Sequence, residues 1–274
     1  MTHTWNYKAK QAASFVRTKI QSLDFNPKIF MVLGSGFRDA VSDWSSLLTL
    51  PTSSIPGYPQ PTVQGHGANL IATRLETPNG LRDVLIATGR SHLYEGRTAF
   101  EVSLPIFMAH ELGIQNIVLT NAAGGLSPHT PTGSVIAISD HLNLSGHNVA
   151  ASTQPVQFIA MDGAYDKNWR EKVCQDVGLK SGVYAAVLGP SFETGAEAKM
   201  LKILGADLAG MSTVQETIAA RMNGQKVFAC SFVTNVAGDS NSDHSDVLKA
   251  VEKSMPTIRK TLLSSLAHAP NPAI

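Results

Sequence analysis

Six short apolar runs punctuate this chain: KIFMVL (28–33), DVLIAT (83–88), NIVLT (116–120), SVIAIS (134–139), GVYAAVL (182–188) and KVFACSFVT (226–234). Runs this short with no polar face belong to strands covered on both sides. Between them, residues 99–112, 168–177, 196–204, 213–222 and 246–266 space their apolar side chains as helices do. Buried strands alternating with helices define an α/β protein. No internal repeat or low-complexity linker divides residues 1–274, so one domain is expected. The stretches 51–69 and 145–157 read as loops.

Charge and cysteine usage narrow the function. Lys and Arg total 22 against 21 acidic residues, a balance without the cationic excess of a nucleic-acid or anionic-membrane binder. Residues 1–20 form an amphipathic helix in which Lys8, Lys10, Arg17 and Lys19 interrupt the apolar positions, unlike a signal peptide. No window approaches the ~20 apolar residues that span a bilayer, so a cytoplasmic protein is expected. Cys174 and Cys230 stand alone, without metal-ligand spacing, and are read as free thiols.

Ligands of open α/β sheets gather beyond the carboxyl ends of strands, so the residues just past each run matter most. Gly34-Ser35-Gly36 comes after the first, Gly89-Arg90-Ser91-His92-Leu93-Tyr94-Glu95-Gly96 after the second, and NAAGGL (121–126) after the third. Two small-residue turns, a hydroxyl, a guanidinium and an imidazole are the parts of an oxyanion site, in which Arg pairs two oxygens at once. After the fifth run come Phe192 and Glu193, a stacking face beside an acceptor, which suits a purine with ring N–H donors. Asn235 after the sixth both donates and accepts. Simpler readings stand beside these: Ser191 or Thr194 caps the next helix with Glu193 complementing its dipole, and Asn235 bonds its own turn.

Other motifs fail. The third glycine of a dinucleotide fingerprint would fall at Asp39, and no Gly-Lys-Ser/Thr succeeds the first glycines. His110-Glu111 lacks the second histidine of a zinc helix, and Asp140-His141 reads as a structural pair, so no metal is expected.

Taken in order, LGSG, GHG, GRSHLYEGR, TNAAGGL, SDHLNL, MDGAYD, LGPSFET, LGADLAGMSTVQE and TNVAG resemble the trimeric purine nucleoside phosphorylases from about residue 31 to about residue 248. The resemblance implies a mixed-sheet α/β homotrimer that cleaves 6-oxopurine nucleosides and their 2′-deoxy forms with inorganic phosphate as co-substrate and no cofactor. It places phosphate against Ser35, His66, Arg90, His92, the backbone of Ala122, and Ser212. The purine falls to Phe192, Glu193 and Asn235, and the ribose to Tyr94, Met211 and His244, with Phe158 reaching a neighbouring subunit's site. His92, Glu193, Asn235 and His244 are the catalytic assignments. Asn235, where methylthioadenosine phosphorylases resemble this site with an aspartate, favours a 6-oxo base. The alternatives are a methylthioadenosine phosphorylase-like activity and a non-catalytic nucleoside-binding protein. The chain departs from the family pattern at Phe37-Arg38, at Asn69, in a shortened 145–157 segment and at Gln215, where proline is usual.

Overall fold

The computed structural model describes residues 4–60, 62, 69–152, 156–238 and 244–271. Among these, nine strands form one sheet: β1 (Ile29–Val32), β2 (Ser46–Pro51), β3 (Asn69–Thr77), β4 (Gly80–Ala87), β5 (Asn116–Gly125), β6 (Val135–Asn143), β7 (Lys180–Ala186), β8 (Leu208–Gly210) and β9 (Lys226–Val236). Their order is β2-β3-β4-β1-β5-β8-β7-β6-β9, and β9 also pairs with β5, which closes the last five strands into a ring. The sheet is mixed: β1 runs parallel to β4 and β5, whereas β3 is antiparallel to β4, β8 to β5 and β9 to β6.

Side chains of β1 divide between two cores, as the two-residue period of a strand requires. Phe30 and Val32 join Leu85, Ile117 and Leu119 beneath α1 (Thr4–Ile20), α2 (Ala99–Glu111) and α5 (Val214–Met222). Ile29, Met31 and Leu33 join Val118, Phe228 and Cys230 against Trp169 and Val173 of α3 (Lys167–Val177) and Ile258, Leu262 and Leu266 of α6 (His244–Ala267). This two-sided covering explains why the central strands lack a polar face. Helix α4 (Gly195–Ile203) packs Ala198 and Leu201 on Ala185 and Ala209 in a third, smaller cluster. Its cap is Thr194, which accepts from the Glu197 N–H while the Glu197 carboxylate takes the Thr194 N–H. The reading of Thr194 as the cap of this helix therefore holds, with Glu193 one residue ahead of it. Cys174 and Cys230 are both free thiols. The Asp140 carboxylate accepts from the His141 N–H at 2.8 Å, and the His141 ring finds a partner the sequence did not suggest, with Nδ1 3.0 Å from the buried Tyr165 hydroxyl.

Three strands carry no continuous apolar run. β2 is largely exposed at the sheet edge, the outer half of β3 carries Arg74 and Glu76, and β8 has only three residues. A second difference matters more for the site. The NAAGG segment does not leave β5 but continues it, paired with β9 through Asn121↔Ser231, Ala122↔Phe232 and Ala123↔Val233, with a register shift before Gly124↔Asn235. Alanine and glycine have poor intrinsic strand preference, and pairing along β9 overrides it.

Candidate active site

The first half of β5 pairs with β1 over Asn116–Leu119, and β8 joins it only at Gly124 and Gly125. Between them the strand bears Thr120 to Ala123. A cavity of about 460 Å³ opens beside this stretch, within the ~300–1,000 Å³ range of small-molecule sites. Its walls come from the carboxyl ends of strands: Ser35 after β1, Arg90, His92 and Tyr94 after β4, Ala122 in β5, Phe192 and Glu193 after β7, Met211 and Ser212 after β8, and Asn235 near the end of β9. Ten of the residues expected from sequence thus meet in one place. Phe158 does not line this cavity and is 99% exposed. His66 lies outside the described residues, and so does the side chain of His244, whose backbone opens α6.

Arg90 is buried. Its Nε donates to Glu216 Oε1 at 3.2 Å, and its Nη1 donates to the Thr120 carbonyl at 2.5 Å and to Ser212 Oγ at 3.4 Å. Its Nη2 is buried with no hydrogen-bond partner among the described residues. An unpaired cationic donor is costly to bury, and an oxyanion bound in the cavity would satisfy this one. Close approach at this point depends on Gly34, whose N–H donates to Thr120 Oγ1 at 2.9 Å while that hydroxyl donates to the Val32 carbonyl.

His92 is fixed by Glu95. One carboxylate oxygen accepts from the His92 N–H at 2.7 Å and lies 3.1 Å from Nδ1, while the other accepts from the N–H and hydroxyl of Thr62. Burial alone would raise the Glu95 carboxyl, but these bonds from Thr62 and His92 outweigh it and hold the group below the usual carboxylate range. With the carboxylate ionised, Nδ1–H is the donor of this pair. The His92 ring stacks on Tyr94 at 4.6 Å. Burial, then the Glu95 charge, push the Tyr94 hydroxyl up to about 12, so it stays protonated at neutral pH.

At the far end, Phe192 is 78% exposed and Glu193 partly exposed. Asn235 makes local bonds, accepting from the Thr234 hydroxyl at 2.8 Å and donating to the Val236 carbonyl at 3.2 Å. An amide has two donors and two lone pairs, so one of each remains for a ligand. Gly189 lets Met211 and Tyr94 close in, because a side chain at this position would run into Met211 Sδ and its backbone has φ +73°.

Sequence reasoning missed Glu95, Glu216, Thr213 and Asn121. Glu95 and Glu216 each stand three residues after their cap, the spacing of a capping box, which signals a helix start but not a tertiary partner.

The fold and this site define a phosphorylase: residues 28–267 match the family model described as the phosphorylase superfamily. Purine nucleoside phosphorylase 1 of Geobacillus stearothermophilus is 36% identical over 89% of this chain and 91% of its own length. The purine nucleoside phosphorylase of Mycobacterium tuberculosis is 42% identical over 88% and 89%. The crystal structure of Schistosoma mansoni purine nucleoside phosphorylase in complex with inosine superposes with a TM-score of 0.83 at 32% identity, covering 97% of this chain and 98% of that one. The chain belongs to the phosphorylase superfamily and, within it, to the purine nucleoside phosphorylases.

Proposed function

We propose that this protein phosphorolyses 6-oxopurine nucleosides such as inosine and guanosine, and their 2′-deoxy forms, to the free base and (deoxy)ribose 1-phosphate. The observation that carries the reading is a single cavity with a buried, unpaired Arg90 donor at one end and Phe192, Glu193 and Asn235 at the other. β5 measures the separation: Arg90 holds the Thr120 carbonyl, and Asn235 lies opposite Gly124 four residues on, about 13 Å at ~3.3 Å per residue. That length leaves room for a sugar between an anion and a base.

In this reading phosphate binds Arg90, Ser35, Ser212, His92, His66 and the Ala122 N–H. Glu193 accepts from N1–H, Asn235 bonds N7 and O6, and Phe192 covers the ring. Tyr94, Met211 and His244 surround the ribose. A phosphate oxygen supplies the electron pair of the new bond to C1′, and the pair of the C1′–N9 bond departs with the base. Negative charge grows on the purine, where the Asn235 amide meets it at N7, and positive charge grows on the sugar, where phosphate meets it. Holding both reactants in line removes an entropic barrier of up to ~7–11 kcal/mol. No cofactor enters the scheme.

The exposed Phe158 ring, beside an exposed Val156, supports a homotrimer in which this segment meets the neighbouring subunit. No helix among the described residues is long and apolar enough to cross a membrane, which is compatible with a cytoplasmic location. The test is hypoxanthine release from inosine with and without phosphate. Release that saturates with phosphate is expected. Binding without release would make this a nucleoside-binding protein, and release without phosphate a hydrolase.

A further inference from the structure

Among the described residues, Thr213 is the one non-glycine position with positive φ, at φ 71° and ψ −45°. The Val214 N–H reaches back to the Ser212 carbonyl at 2.7 Å, which closes a γ-turn of the rare, strained hand. Strain of this kind persists only where the surroundings over-determine it, and it concentrates at functional sites. Here four groups hold the turn. Asn121 Nδ2 donates to Thr213 Oγ1 at 2.8 Å, Thr217 Oγ1 donates to the Thr213 carbonyl at 2.9 Å, Ser212 Oγ lies 3.1 Å from Thr213 Oγ1, and Glu216 Oε2 accepts from the Thr213 N–H at 3.0 Å.

Glu216 is the unusual member. It is buried and occupies the third position of α5, where a capping-box carboxylate normally serves its own helix alone. Its other oxygen instead takes Arg90 Nε. One carboxylate therefore joins the two groups that offer donors to the anion end of the cavity: the Arg90 guanidinium and, through the turn, the Ser212 hydroxyl. Glu216 itself does not line that cavity.

We propose that Glu216 is a positioning residue for the nucleophile, fixing Arg90 and Ser212 relative to each other so that both meet one oxyanion, without touching substrate. The inference rests on the reading that this oxyanion is phosphate. A guanidinium held through Nε and Nη1 has one remaining edge, Nη2, and its direction is set by the two bonds already made. Release of the Nε bond would let the plane rotate about Thr120, and release of the Thr213 bond would let the strained turn relax and carry Ser212 away.

Glu216→Gln separates these bonds, because an amide has one acceptor oxygen and cannot serve Arg90 and the Thr213 N–H together. Glu216→Asp keeps the charge that neutralises buried Arg90 but loses the reach to one partner, and it serves if the glutamine variant does not fold. Steady-state kinetics with inosine and phosphate varied independently give the reading. A rise of about ten- to a hundredfold in KM for phosphate, with KM for inosine within about twofold, is expected. Calorimetric titration with inorganic phosphate should show the same loss. An equal rise in both constants, unchanged constants, or failure of both variants to fold would overturn the proposal, the last because the carboxylate would then serve the fold. A wild-type enzyme whose base release ignores phosphate would instead sink the underlying reading.

Discussion

Gly34→Ala tests the packing that places the anion end of the cavity. The glycine has no positive φ, so the position demands space rather than conformational freedom. A Cβ there would lie 2.5 Å from the Thr120 carbonyl oxygen and 2.8 Å from Asn121 Cα, about 1 Å inside ordinary contact. Both are backbone atoms of β5, held from the other side by β9 through Thr120↔Cys230 and Asn121↔Ser231, so they cannot move cheaply. Relief must come from the β1 exit, which weakens the 2.9 Å bond from the Gly34 N–H to Thr120 Oγ1. Overpacking costs ~1–3 kcal/mol and a weakened hydrogen bond ~0.5–1.5, so the variant should lose about 2–4 kcal/mol, or about 3–7 °C in Tm. The same displacement moves Ser35, and a 1 Å misplacement costs up to ~10²-fold in rate. Urea unfolding and phosphate-saturation kinetics measure the two losses. Gly195→Ala is the control, since nothing lies within 4 Å of a Cβ at the first position of α4. Wild-type stability together with an unchanged phosphate KM in Gly34→Ala would refute the steric argument.

Asn235→Asp should lower kcat/KM for inosine by roughly 10²-fold or more and for adenosine by less, because the carboxylate repels the charge growing on the base and cannot donate to O6. Its Oδ1 can still accept from the Thr234 hydroxyl, so the fold should survive, and equal losses on both nucleosides would remove Asn235 from base selection. Glu95 carries a pH prediction. Its folded pKa lies below the usual 4.5, so its stabilisation is present above that value and is lost as pH falls through the depressed one. Glu95→Gln should therefore flatten the acid limb of a Tm profile taken by calorimetry between about pH 6 and about pH 3. An unaltered slope would show that Glu95 does not titrate as the bonds from Thr62 and His92 require.

The covered strands are legible because burial on both faces removes polar residues from the sequence itself, as in Phe30 to Val32 and Ile117 to Leu119. β2 and β3 are not: β2 is an edge strand with exposed side chains, and in β3 the face that buries Leu70 and Ala72 continues with Arg74 and Glu76, which breaks the apolar run. The end of β5 reads as a turn for its alanines and glycines, although those small residues do lie against a cavity. The residues just past the strands already included Ser35, Arg90, His92, Phe192, Glu193 and Asn235, and resemblance added Met211 and Ser212; ten of the expected residues line one cavity, whereas Phe158 stands apart from it.

The information carried by the chain alone is local and compositional: the alternation of buried strands with helices, the small residues where backbones must approach closely, and the chemical types gathered at strand ends. Which of those types meet is a tertiary outcome. The return of β9 to β5 closed the ring and made NAAGG a strand, and the packing of α5 brought Glu216 to Arg90 across 126 positions of chain. A capping-box spacing names a helix start, but the partner of its second oxygen is a long-range contact that no local pattern encodes.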